Sequence, residues 1–129
     1  MRFYETIDGE KPLVGFINDL RLQHPDLHKQ LLAGIKALQK SERHKMPLTR
    51  LVDAEDRIFE LRVGKTNIAR AFFFYTGGQV VLLTHGYVKK SQKADEGEIR
   101  AARQAKHDWE GRHNDSAPRS VQRNRRISR

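Results

Sequence analysis

Apolar residues recur at three- and four-residue intervals over 12–23, placing Leu13, Phe16, Ile17 and Leu20 on one helical face. Pro12 suits the first turn of that helix, and Pro25 closes it. Asp26 is placed to cap a second helix over 26–42, with Leu27, Leu31, Ile35 and Leu38 on its stripe. The short connection predicts a helical hairpin. After a loop containing Pro47 the period falls to two. Residues 57–63, 67–75 and 80–87 read as strands separated by the glycine-bearing "GKT" and "TGGQ", the spacing of an antiparallel meander. Residues 1–7 alternate weakly, as a short first strand does. Residues 95–110 form a last helix, with an acidic start and with Lys106 and His107 near its end, as the helix dipole favours. The expected fold is α+β, a helical hairpin packed on a small antiparallel sheet with a C-terminal helix. One domain over 1–110 would precede a basic, flexible tail over 111–129.

The turns predict which side chains meet. A two-residue Gly77-Gly78 turn would set Arg70 opposite His85 and Phe72 opposite Leu83. A three-residue loop at 65–67 would set Arg62 opposite Arg70. Glu60, Arg62, Arg70, His85 and Tyr87 then share one face, with Lys89 following if the strand runs on. Phe59, Leu61, Val63, Ala69, Ala71, Phe73, Val80, Leu82 and Thr84 fall on the other, which suits packing against the hairpin.

Charge adds a partner class to this picture. The net charge is +9, and residues 111–129 alone hold six arginines against Asp115. Such a balance suits polyanions such as RNA, although positive charge also serves solubility. The chain has no cysteine, which excludes disulfides, thiolate metal sites and cysteine nucleophiles. No apolar run approaches the ~18 residues of a membrane span. The opening "MRFYETIDGEK" lacks a signal-peptide core, so a cytoplasmic location without membrane contact is expected.

Two arginines directly opposite each other destabilise a sheet. They make sense if a phosphate sits between them, since the guanidinium fork matches phosphate oxygens. Lys89 and Lys90 would hold a backbone or stabilise developing charge, with Lys65 and Lys93 as further RNA contacts. Tyr87 or His85 would move protons. Each residue has a plainer reading: arginines paired with Glu60 or Glu55, lysines on a solvated loop, Tyr87 and His85 as sheet packing. His24 and His28 lack a third ligand, so no metal site is read there. Trp109 reads as an anchor for the last helix, and "FFF" at 72–74 as core plus sheet surface.

The stretch "IFELRVGKTNIARAFFFYTGGQVVLLTHGYVKKSQKADEGEIRAARQAKHDW" resembles the RelE/HigB superfamily of type II toxins, in its phage-derived HigB-like branch. The resemblance rests on a strand ending in "ELR", an arginine on the next strand, an apolar strand running into a "KK" pair, and a closing helix. It covers 57–109 closely, and the preceding hairpin fits the layout. It implies an mRNA interferase, an endoribonuclease that cuts mRNA on the ribosome without a cofactor. The 2′-OH attacks the adjacent phosphate and leaves a 2′,3′-cyclic end. It also implies a cognate antitoxin encoded beside the toxin, often a helix-turn-helix protein of the HigA type. Carried over, Arg62 and Arg70 take the positions of the family's arginines, and Lys89 and Lys90 those of its lysine pair. Tyr87 stands where the branch commonly has phenylalanine. Asp95 replaces a proline, a departure expected to alter only the helix start. ParE-like relatives inhibit a topoisomerase without nuclease residues, so a non-nuclease toxin is the alternative, with a nucleic-acid-binding accessory protein a third class.

Overall fold

A computed structural model describes residues 1–40, 49–77, 80–90 and 93–113. The elements run β1 (Arg2–Phe3), α1 (Pro12–Gln23), α2 (Pro25–Lys40), β2 (Thr49–Asp53), β3 (Ile58–Val63), β4 (Ile68–Tyr75), β5 (Val81–Lys89) and α3 (Glu96–Arg112). The fold is α+β with a C-terminal helix, as the hydrophobic pattern predicts. The far end of the second helix, the Pro47 loop, Gly78 and residues 114–129 of the tail lie outside the described residues.

α1 has the expected bounds. α2 starts one residue early, at Pro25, whose fixed φ and missing N–H suit a first helical position. Asp26 therefore sits in the first turn instead of capping it. His24 alone separates the helices; its N–H donates to the Leu20 carbonyl and its own carbonyl accepts from His28. α3 passes the expected boundary at 110 and ends at Arg112.

The sheet has five strands in the order β1-β5-β4-β3-β2. It is mixed, not purely antiparallel, because β1 lies parallel to β5. β2 was not foreseen: "TRLVD" is too short and too weakly alternating to announce a strand. Between β3 and β4 the register is the expected one, with Arg62 opposite Arg70. Between β4 and β5 it is not. Arg70 faces Tyr87, not His85, and Phe73, not Phe72, faces Leu83. Two causes combine. Thr76 N–H donates to the Val80 carbonyl, so the connection is one residue wider than a Gly-Gly turn. A bulge then sets Thr84 and His85 together against Phe72. The first offset turns Leu82 away from the hairpin and Leu83 towards it; the second restores His85 and Tyr87 to the expected face.

The hairpin covers one sheet face. Leu13, Leu20, Leu31 and Leu38 pack there with Leu61, Ala71, Phe73 and Leu83. α3 covers the other face through Ile99 and Ala102, against Ile58, Phe72, Phe74 and Leu82. The "FFF" run thus alternates, feeding two cores from one strand. Trp109 anchors α3 edge-on to Phe74 at 6.2 Å. This third layer changes the expected site, because α3 lies on the face that carries the arginines. Among the described residues no helix is long and apolar enough to cross a membrane.

Candidate active site at the margin of α3

The α3 side of the sheet is built in rows. Arg50 faces Glu60 and Glu60 faces Phe72; in the next row Arg62 faces Arg70 and Arg70 faces Tyr87; Ile68 faces Lys89 beyond them. Glu60 and Arg70 are both 0 % exposed. Arg70 Nη1 donates to Glu60 Oε2 at 3.3 Å, and Arg50 Nε donates to Glu60 Oε1 at 3.1 Å. The carboxylate two residues along β3 thus offsets the repulsion between facing arginines, with no outside anion needed. The Arg70 guanidinium lies 5.9 Å from the Tyr87 ring centre, as a cation over an aromatic face. A ligand reaching this margin meets half-buried Arg62, while Arg70 supports the row from beneath.

Tyr87 is held on three sides. Its ring stacks on Phe72 at 5.8 Å, with Arg70 beyond. Its hydroxyl accepts a 2.8 Å hydrogen bond from the Asp95 backbone N–H. That contact uses the oxygen's acceptor capacity and leaves the phenolic proton free to donate. Asp95 is the N-cap of α3: its side chain accepts from Glu98 N–H at 3.2 Å. The Glu98 backbone N–H, and then the Lys89 ammonium 3.5 Å away, hold the Asp95 carboxyl below the usual carboxylate range. Asp95 therefore does more than start a helix: its backbone N–H holds the hydroxyl of Tyr87 and its carboxylate the ammonium of Lys89.

His85 lies deeper. Its Nε2 is 3.0 Å from Glu98 Oε1, and its Nδ1 is 3.1 Å from Thr84 Oγ1. Both ring nitrogens thus have protein partners, and the ring also packs on Phe72. Lys90 and Lys93 are exposed on the approach to α3. Lys65 stands apart from this group, in the β3–β4 loop. Arg50, Asp95 and Glu98 escaped sequence reasoning as site-building residues. Only the acidic cap before the last helix gave a signal, and it did not reveal that its backbone N–H would meet a tyrosine eight residues back.

Among the described residues, no three His, Cys, Asp or Glu side chains gather as a metal-ligating group. The arrangement offers several cations, a proton donor in fixed geometry, and a rigid buried charge pair below them, a combination that suits a phosphodiester. A comparison with curated proteins finds no match. A family model described as "Phage derived protein Gp49-like (DUF891)" matches residues 18–107, from the middle of α1 to the last turns of α3. On that match the chain belongs to the phage-derived Gp49-like family, a family related to RelE/HigB-type toxins and associated with toxin–antitoxin systems.

Proposed function

We propose that the chain is an endoribonuclease toxin that cleaves mRNA, acting on the ribosome in the cytoplasm and neutralised by an adjacently encoded antitoxin. The observation that carries this reading is the Tyr87 hydroxyl, fixed by Asp95 N–H in a row of cations. In this reading Arg62, Lys89, Lys90 and Lys93 take the RNA backbone, and the first three gather around the scissile phosphate. The substrate's 2′-OH attacks phosphorus and loses its proton to water. The P–O5′ bond breaks, Tyr87 gives its proton to the leaving oxygen, and a 2′,3′-cyclic phosphate and a 5′-OH result. Arg62 and the lysines stabilise the extra charge of the pentavalent state. Arg70 and His85 act as positioning residues, Arg70 beneath the Tyr87 ring and His85 through Glu98 at the start of α3.

The test is induced expression of wild type beside Tyr87→Phe and Lys90→Ala, with growth and the 5′ ends of cellular mRNA followed together. Wild type should arrest growth and cut mRNA. Tyr87→Phe keeps the ring packing and should lower cutting by about 10²–10⁴-fold, the range of a lost general acid. Arrest with intact mRNA and a DNA-damage response would replace this reading with topoisomerase inhibition.

A further inference from the structure

A cleft of about 490 Å³ opens between the α1–α2 junction and the β3–β4 loop, away from Tyr87. Its size falls in the range of small-ligand sites. Pro25 and the buried Leu27 supply apolar surface, while His24, Asp26, Gln30 and Asn67 bring polar groups and Lys65 a cation. Gly64 fixes its shape. With φ at +104° it adopts a conformation open to glycine, and a Cβ there would stand 2.7 Å from Leu27 Cδ2 and collide with the Asn67 carbonyl. The loop is therefore seated against α2.

The cleft lies on the hairpin side of the sheet, where Leu27 packs, and the site on the α3 side, but the two share one end of the sheet, since Ile68, next to Asn67, pairs with Lys89. Apolar walls with amide, imidazole and carboxylate groups are what a nucleobase needs, and Lys65 at the rim suits its phosphate. We infer that this cleft is a flanking-nucleotide subsite, which takes the base of a single-stranded RNA one or more residues beyond the scissile phosphate. Gln30 and Asn67 hydrogen-bond the base, and Lys65 holds the backbone between cleft and site. The inference rests on the RNA-cleaving reading and adds to it a determinant of sequence preference at a position away from the cut.

Fluorescence anisotropy with the full chain tests it, using labelled single-stranded RNAs of about three and about nine nucleotides, below and within the usual length of a single-strand site. The variant is Gln30→Ala with Lys65→Ala; both side chains are exposed, and thermal melting checks that the fold is kept. The variant should lose about tenfold in affinity for the longer RNA and less than about twofold for the shorter, as loss of a remote base and phosphate contact requires. An unchanged affinity for the longer RNA overturns the subsite, and so does an equal loss at both lengths. If wild type binds neither RNA the subsite is overturned, while cleavage on the ribosome is decided separately by the mRNA 5′ ends.

Discussion

Arg70 is a charged side chain wholly inside the protein, and what it touches sets what its removal would do. It shares the Glu60 carboxylate with Arg50, and Glu60 is equally buried. Arg70→Ala would leave that carboxylate facing Arg50 alone, beside a cavity under Tyr87. Truncating one partner of a buried pair costs roughly 3–5 kcal/mol, so Arg70→Ala should unfold at markedly lower denaturant. Glu60→Gln combined with Arg70→Met removes both charges at similar volume and should recover most of the loss in the same titration. This is why a fall in activity in Arg70→Ala alone says little about phosphate binding, and why Tyr87→Phe is the better probe. The arginine pair was legible from loop length, and Glu60 as a carboxylate that pairs an arginine was legible beside it. That the pair would be sealed under a helix was not, because it depended on where α3 lands.

At the scale of elements, α3 is held at both ends by carboxylates. Asp95 caps it. Asp56 bonds His107 at 3.0 Å, which holds its carboxyl below the ordinary range. Asp108 is lowered by Arg112 and by the Tyr4 hydroxyl 2.6 Å away. All three carboxyls sit below their ordinary value of 3.8 in the folded chain. Their stabilisation is therefore complete above that ordinary value and is lost as pH falls through the lowered folded values. Trp109, the chain's single tryptophan, lies on α3, so its emission reports docking of the helix. Emission should hold steady down to about pH 4 and change below it, and Asp56→Asn should blunt the change. Asp95→Ala should lower the melting temperature through the lost cap.

The same scale shows why strand register was only partly legible. The β3–β4 loop behaves as its length predicts, because Gly64 supplies the left-handed residue that a tight connection uses. The β4–β5 connection is wider than its paired glycines suggest, and the bulge at Thr84 and His85 has no marker in the sequence beyond a threonine whose hydroxyl reaches the Phe72 carbonyl at 3.4 Å. The expected face for His85 and Tyr87 is right because the two offsets add to an even number, and strand faces repeat every second residue. Leu82 lies between the offsets and was assigned to the wrong core for the same reason.

Over the whole molecule, the basic balance was the plainest message of the sequence, and it bears on affinity before chemistry. Each lysine that neutralises a phosphate of single-stranded RNA adds about 0.7 to the steepness of log affinity against log salt. Lys90→Ala with Lys93→Ala should therefore flatten the slope by about 1.4 if both lie on the RNA path. Equal slopes for variant and wild type would place the RNA elsewhere.

The bulge also constrains how the gene can change length. Deleting Thr84 would remove the extra residue of the bulge and leave every later one on its partner, Tyr87 on Arg70 and Lys89 on Ile68. Deleting Gly86 instead would bring a neighbouring side chain to the place where Phe16 comes so near that even a Cβ would lie 2.5 Å from its ring. The first deletion should fold and the second should not, while many substitutions on the exposed flank of α2 pass unnoticed. At the bulge a lost codon leaves inside and outside as they are; two codons further on it fills the space of a glycine.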